Sequence, residues 1–186
     1  NLANDVFDHE KGTDDASRIG PARAVQKGLL RGESVKRAMW LVFALAVAVG
    51  SYLVAIGGVG IVVLGLVSIA CAIAYTGGPY PLGYHGLGDV FVFAFFGVAA
   101  VVGTTYVATG VLSAAALLAS VSVGALATAV LVVNNVRDAK TDVRTGKRTL
   151  VVRFGRGFGL WEYRLLVLSC VVFPLLGVAL DLLPKL

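Results

Sequence analysis

Five long apolar segments constrain the fold of this chain more than any other feature of its sequence. They lie approximately at residues 38–56, 59–76, 89–109, 113–135 and 160–183. A helix that crosses a bilayer needs about 20 mostly apolar residues, so each segment is able to cross. The bilayer interior has no water to satisfy peptide groups, and helices satisfy them internally. The sequence therefore predicts an all-α, polytopic transmembrane helical bundle.

The composition supports a membrane protein and excludes an ordinary soluble domain. Of the 186 residues, 58% are hydrophobic and 15% are charged, and the mean hydropathy is +0.85. A soluble domain is roughly 45–50% apolar and about 25% charged. Cys71 and Cys170 both lie inside apolar segments, where we expect buried free thiols rather than a zinc site or a disulfide framework.

Basic residues are distributed unevenly about these segments. If five helices alternate in direction, the region before residue 38, the 77–88 loop and the 136–160 loop share one side of the membrane. Fifteen of the sixteen Lys and Arg residues lie on or near that side, and Lys185 lies opposite. Because cytoplasmic loops carry the excess of Lys and Arg, this side is predicted to be cytoplasmic.

An acidic motif occurs twice on the predicted cytoplasmic side, each time at the end of a helix. The two copies consist of Asn1, Asp5 and Asp8, and of Asn134, Asp138 and Asp142. Positions i, i+4 and i+7 or i+8 share one helix face, so each copy forms a stripe of oxygen ligands. A basic loop follows each copy. We therefore predict a single domain, 1–186, with a parallel internal repeat whose motif loops are 1–37 and 134–160.

Two facing carboxylate stripes are suited to divalent cations that bind a diphosphate. Mg²⁺ prefers oxygen ligands and usually joins carboxylates to substrate phosphates. The four aspartates are therefore the candidate catalytic and metal-binding residues, and Mg²⁺ is the expected cofactor. A solvated charge cluster is the alternative for one copy alone, but two copies in register favour the metal site. The candidate substrate-binding residues near the two copies are Asn1, Arg18, Arg23, Lys27, Asn134, Arg144, Lys147 and Arg148.

The glycine-rich stretch GGPYPLGYHGLG adds aromatic and acidic candidates on the same side. Asp89, which follows it, is either an ordinary first-turn acid of a helix or a group that contacts the acceptor substrate. The nearby aromatic residues are either interfacial or walls of a pocket, where their faces can stabilise an allylic cation. They are Tyr75, Tyr80, Tyr84 and His85. We include Asp89 and Tyr80 among the candidate substrate-binding residues.

The paired motifs resemble those of the UbiA-type intramembrane aromatic prenyltransferases, which carry an N-x3-D-x2-3-D motif and a later D-x3-D motif. The chain is most similar to the branch that prenylates 1,4-dihydroxy-2-naphthoate in menaquinone synthesis. The similar blocks are NLANDVFDHEKGTDD, RIGPARAVQKGLL, YTGGPYPLGYHGLGDVFVFAFFG and NNVRDAKTDVRTGKRTLVVRFG. This resemblance implies a bundle of nine transmembrane helices around a central cavity, of which this chain supplies about five full spans.

The resemblance also implies an activity. An Mg²⁺-dependent transferase in the cell membrane would move a polyprenyl group from polyprenyl diphosphate to 1,4-dihydroxy-2-naphthoate. Carbon dioxide would be lost and demethylmenaquinone formed. The partners would be these two substrates and membrane lipid, with no nucleic acid, and the site would open to the cytoplasmic side. The stretch YPLGYH lacks the Lys and Arg of the Tyr-x3-Lys-Arg motif found in the 4-hydroxybenzoate branch, which argues against that acceptor.

Two kinds of alternative accompany this interpretation. The motifs bind the donor, so a relative with another acceptor fits them as well: homogentisate, 4-hydroxybenzoate, a chlorophyll precursor or a lipid glycerol. An ion-coupled carrier can also have a parallel repeat with acids at helix ends. A carrier would place ionisable groups near the bilayer midplane, whereas Asp89 and Asp181 lie near segment ends. The sequence does not set the prenyl chain length or the oligomeric state.

Overall fold

The computed structural model describes residues 2–11 and 24–183. The regular elements in these ranges are all helical, with a 3₁₀ turn at Leu82–His85. Seven helices are named here in chain order: α1 (Leu2–Glu10), α2 (Gly32–Gly57), α3 (Val59–Ala74), α4 (Gly88–Thr109), α5 (Ala114–Arg144), α6 (Leu150–Phe154) and α7 (Arg156–Ala179). Helices α2, α4, α5 and α7 are long and apolar enough to cross a membrane. The predicted all-α polytopic bundle is therefore confirmed.

One of the five predicted spans is shorter than expected. Helix α3 has 16 residues. At a rise of 1.5 Å per residue it extends about 24 Å, whereas the hydrocarbon core is about 30 Å thick. The glycines and prolines of residues 77–81 follow it, and these residue types do not continue a regular helix. The segment predicted at 59–76 is thus an apolar helix, but a short one.

Helix α5 lies at the centre of the bundle and carries the second motif copy. Its buried residues are mostly small or polar: Ala116, Ser120, Gly124, Ala125, Thr128, Ala129, Val132, Asn135 and Asp142. Small residues let neighbouring helices approach closely. With 31 residues, α5 is about 46 Å long, which exceeds the hydrocarbon core. Its last turns therefore extend into the membrane interface, where charged side chains are tolerated.

Helix α4 crosses α5 at a pair of glycines. A Cβ atom on Gly97 would lie 2.6 Å from the Cα of Gly124, so the two backbones could not come this close with a larger residue. The surrounding stretch of α4, Phe93–Ala99, is π-helical. Such local widening of an α-helix occurs frequently at functional sites. This part of α4 also faces the cavity described next.

The outer faces of the bundle are apolar and exposed. Leu41, Leu45 and Val49 on α2, and Leu168 and Leu175 on α7, are each about half exposed or more. In a soluble protein such surfaces would be covered by other protein, but in a bilayer they contact lipid tails at no cost. The exposed residues therefore agree with a membrane location.

Candidate active site

A cavity of about 470 Å³ lies between α1, the 3₁₀ turn, α4 and the carboxyl-terminal half of α5. Both copies of the acidic motif contribute to its wall. The motif residues and near neighbours in the wall are Asn4, Asp8, Asn134, Arg137, Asp138 and Asp142. Tyr75, Val92, Phe96 and Leu131 form a more apolar part. The two copies thus face one cavity that has a charged end and an apolar end.

Asp8 is the most deeply buried acid of the site, with 1% of its surface exposed. The hydroxyl of Tyr84 donates a hydrogen bond of 2.7 Å to its Oδ1. The Nζ atom of Lys147 lies 3.7 Å from the same oxygen. Burying a carboxylate is costly unless it is paired and hydrogen-bonded. Tyr84 and Lys147 therefore compensate the cost of holding Asp8 in the wall.

Two lysines flank the ring of Tyr84. The Nζ atoms of Lys11 and Lys147 each lie 4.8 Å from the ring centroid, a distance that permits a cation–π interaction. Lys11 also donates a hydrogen bond to the carbonyl of Thr76. Burial lowers the pKa of Lys11, and Lys147 adds to this effect while Asp8 opposes it. Two ammonium groups therefore lie near the carboxylate of Asp8 at this corner of the cavity.

The acids of the second copy have different surroundings. Arg137 donates two hydrogen bonds to the carboxylate of Asp138, of 2.7 and 2.6 Å. Asp142 is buried, and its backbone carbonyl accepts a hydrogen bond of 2.9 Å from the N–H of Lys147. That bond turns the chain back after α5 and brings Lys147 toward Asp8.

The donor chemistry of the site fits Mg²⁺. The Oδ1 atom of Asp5 is buried and accepts no hydrogen bond from the part of the chain that the structure describes. Within residues 2–11 and 24–183, however, no three Asp, Glu, His or Cys side chains come close enough together to hold a metal ion. Mg²⁺ commonly takes one or two carboxylates and completes its shell with phosphate oxygens and water. The metal role of Asp5, Asp8, Asp138 and Asp142 stays a prediction.

The other predicted substrate-binding residues either lie outside the described residues or do not line the cavity. Asn1, Arg18 and Arg23 lie outside the described residues. Outside the cavity wall lie Lys27, Arg144, Arg148 and Tyr80, all of them exposed. The ring of Tyr80 stacks on His85, with centroids 3.7 Å apart. Tyr84, four residues further on, lines the cavity, as one of the two interpretations of these aromatic residues had it, but its hydrogen bond to Asp8 was not predicted.

Asp89 lies behind the cavity wall rather than in it. It is 5% exposed, and its Oδ1 accepts no hydrogen bond from the described residues. Val92, one turn further along α4, lines the cavity. Glu162 on α7 also has a buried oxygen without a donor among those residues, and it is close enough to interact electrostatically with Asp89. Glu162 is not among the predicted site residues, although an acid in an apolar segment is itself a signal of function.

Comparison with known proteins identifies the family. The model of the UbiA prenyltransferase family matches residues 1–185. The chain belongs to the UbiA prenyltransferase family. The resemblance carried by the paired motifs is therefore confirmed. Together with the four helices of spanning length in the described part of the chain, this membership indicates an integral membrane protein.

Several UbiA family relatives are similar over most of the chain. The 1,4-dihydroxy-2-naphthoate octaprenyltransferase of Escherichia coli is 45% identical over 161 residues, which are 83% of this chain and 52% of the relative. The protein of that name from Mycobacterium tuberculosis is 40% identical over 178 residues, covering 95% and 61%. The 2-carboxy-1,4-naphthoquinone phytyltransferase of Synechocystis is 30% identical over 183 residues, covering 96% and 57%.

The chain spans about half the length of the relative from Escherichia coli, 52% of it. No solved structure matches the chain. The relatives thus support the family.

Proposed function

We propose that this UbiA family protein transfers a polyprenyl group from polyprenyl diphosphate to 1,4-dihydroxy-2-naphthoate. The observation that carries the proposal is the cavity into which both motif copies face, with Lys147 and the motif acids at one end and apolar side chains at the other. Such a cavity matches a donor that has a charged head and an apolar tail. Relatives that are 45% and 40% identical are named for this acceptor, which supports the choice of naphthoate.

The diphosphate would lie at the charged end of the cavity. Lys147 and Lys11 would neutralise the negative charge that develops as the bond between the prenyl carbon and the diphosphate oxygen breaks. Mg²⁺ held by Asp5, Asp8, Asp138 and Asp142 would supply Lewis-acid stabilisation of the same charge. Asn134, which lines the cavity, would donate its amide N–H to a diphosphate oxygen. Asp89 stays a candidate for contact with the acceptor from behind the wall.

The reacting carbon would lie at the apolar end of the cavity. Tyr75, Val92 and Phe96 would exclude water, which otherwise captures an allylic cation. The aromatic faces of Tyr75 and Phe96 can stabilise that cation. The naphthoate ring carbon then forms the new C–C bond, and its carboxyl group leaves as carbon dioxide. The electrons of the broken bond restore the aromatic ring, which gives the reduced form of demethylmenaquinone.

We also propose that the site opens to the cytoplasmic side. The support is the distribution of charge, since fifteen of the sixteen Lys and Arg residues lie on or near the side that carries both motif copies. We treat residues 1–186 as part of one prenyltransferase domain, whose parallel repeat has motif loops at 1–37 and 134–160. The prenyl tail would extend from the apolar end between helices or into lipid.

The test is an assay of membranes that contain the protein. Polyprenyl diphosphate, 1,4-dihydroxy-2-naphthoate and Mg²⁺ are supplied, and the prenylated product is measured by mass spectrometry. We expect product that disappears with EDTA and with Asp138→Ala, and that persists with Glu33→Gln, an exposed acid at the start of α2. Product with homogentisate or 4-hydroxybenzoate alone would contradict the naphthoate acceptor. Absence of diphosphate release with every acceptor would contradict prenyl transfer.

A further inference from the structure

Arg153, in the short helix α6, joins two segments at the edge of the cavity. Its Nε donates a hydrogen bond of 3.0 Å to the carbonyl of Arg148. Its Nη2 donates one of 2.8 Å to the carbonyl of His85. Arg148 lies in the loop that follows the second motif copy, and His85 ends the 3₁₀ turn between α3 and α4. A single guanidinium therefore connects parts of the chain that are far apart in sequence.

The two segments are also in direct backbone contact. The N–H of Arg148 donates a hydrogen bond of 2.7 Å to the carbonyl of Tyr84. Gly86, which follows the turn, has a φ of +74°, a region that favours glycine. A Cβ atom at Gly86 would lie 2.9 Å from the carbonyl oxygen of Arg148 and 3.3 Å from the Nε of Arg153. Residue 86 is thus fitted closely against the loop that Arg153 holds.

This contact extends directly to the charged end of the cavity. Tyr84, whose carbonyl accepts the bond from Arg148, places its hydroxyl on Asp8. Lys147, which precedes Arg148, lies 3.7 Å from the same carboxylate. The turn and the loop therefore each deliver a group to Asp8, the hydroxyl of Tyr84 and the ammonium of Lys147.

We propose that Arg153 is a positioning residue for the diphosphate end of the cavity. It fixes the 3₁₀ turn against residues 147–149 and thereby sets Tyr84 and Lys147 around Asp8. Arg153 is exposed and lies outside the cavity wall, so it acts on the substrate through these two residues. The effect on catalysis rests on the proposed prenyl transfer, whereas the contact itself does not.

The role requires an arginine in particular. A guanidinium presents several N–H donors in a rigid, planar fork, and two of them reach two different carbonyls here. A lysine ammonium is a compact charge on a flexible stem, which cannot hold the same two carbonyls in one orientation. Arg153→Lys should therefore behave like Arg153→Gln, although it keeps the charge.

The test compares variants of the whole protein in lipid nanodiscs. Arg153→Gln and Arg153→Lys remove the bridge, and Gly86→Ala pushes the turn away from the loop without removing a charge. Arg156→Gln is the matched control, since Arg156 is an exposed arginine three residues along for which the described residues provide no hydrogen bond. Hydrogen exchange is measured over residues 82–88 and 147–154, and steady-state kinetics are measured with the donor and the acceptor varied in turn.

We expect the amide of Arg148 to exchange faster than in the parent protein in the three test variants. In the control its exchange rate should not change. The KM for polyprenyl diphosphate should rise about tenfold, the effect of weakening one hydrogen-bonded contact to a charged group. The KM for the acceptor should change less than about twofold, since the acceptor does not contact this end. A lower melting temperature together with equal rises in KM for both substrates would mean a structural role only and would overturn the proposal. An exchange rate at Arg148 in Arg153→Gln equal to that in the control would also overturn it.

The experiment also separates this proposal from the proposed function. If the parent protein transfers no prenyl group to any acceptor, the proposed function fails. Exchange at Arg148 and the binding of inorganic pyrophosphate, followed by calorimetry, still test the positioning role in that case. Weaker pyrophosphate binding in Arg153→Gln than in Arg156→Gln would support it, and equal binding would contradict it.

Discussion

In the first copy of the acidic motif, Asp8 is buried and is held by residues from two other segments, whereas in the second copy Asp138 is held by Arg137, its neighbour on the same helix. The hydrogen bond from Tyr84 to Asp8 joins residues that are 76 positions apart. The ion pair between Asp138 and Arg137, by contrast, joins adjacent residues. The two copies share the i, i+4 step and differ in the last one, which is three residues to Asp8 and four to Asp142. Acids in similar motifs thus have unequal surroundings.

The difference shows what a repeated motif determines and what it leaves to the rest of the fold. The spacing places acids on one helix face in both copies. The partners of those acids come from whichever loops pack against each helix. Because Asp8 depends on long-range contacts, the first copy should be more sensitive than the second to substitutions elsewhere in the protein.

The largest expected effect is that of Asp8→Asn. Removing this charge takes away the ionic interaction with Lys147, weakens the hydrogen bond from Tyr84 and removes a candidate metal ligand. We expect kcat for prenyl transfer to fall about a thousandfold, at the upper end of losses seen when one electrostatic group of an active site is removed. Asp138→Asn, whose surroundings are more local, should lose about a hundredfold. An equal or larger loss in Asp138→Asn would contradict the asymmetry between the copies.

A smaller effect is expected of Tyr84→Phe. The change removes the hydrogen bond to Asp8 but keeps the ring between Lys11 and Lys147. A hydrogen bond to a charged group contributes about 1.5–3 kcal/mol, so kcat/KM for the donor should fall about tenfold to a hundredfold. Tyr80→Phe is the matched control, because Tyr80 is 57% exposed and stacks on His85. A comparable loss in both variants would show that the loop, rather than the hydrogen bond, is responsible.

Much of the fold was predictable because the membrane restricts it so strongly. The apolar segments at 38–56, 89–109, 113–135 and 160–183 all correspond to helices of spanning length. Hydropathy locates these helices but not all of their ends, since α2 begins at Gly32 and α5 continues through charged residues to Arg144. The length of helix α3 was overestimated because the apolar segment continues through Tyr75 and Thr76, after the helix has ended at Ala74.

The site was predictable only in part because half of it depends on tertiary contacts. The stripe of acids follows from helical periodicity, and Lys11 could have been found the same way, since it lies three residues after Asp8. The sequence could not show that Tyr84 rather than Tyr80 contacts the acids. Both residues lie in the same irregular stretch, and its backbone decides which ring faces inward. The bridge made by Arg153 joins carbonyl groups, and backbone acceptors carry no sequence signal.

The smallest expected effect, on the second copy, comes from Arg137→Gln. The pair that Arg137 makes with Asp138 occupies both oxygens of a candidate metal ligand. The two side chains are 36% and 23% exposed, and pairs of this kind contribute about 0.2–1 kcal/mol. Releasing Asp138 should therefore lower the Mg²⁺ concentration that gives half-maximal activity, by up to about fivefold.

The measurement is a titration of Mg²⁺ at saturating donor, with Lys140→Gln as the control. Lys140 is an exposed cation on the same helix, three residues further along, and its replacement removes the same charge without freeing Asp138. An equal shift in Lys140→Gln would mean that the net charge of the helix end, rather than the pairing, controls the Mg²⁺ requirement. A higher requirement in Arg137→Gln would mean that Arg137 itself binds the diphosphate. In that case the second copy, like the first, would combine an acid for the metal with a cation for the substrate, and the two copies would differ only in how locally those partners are supplied.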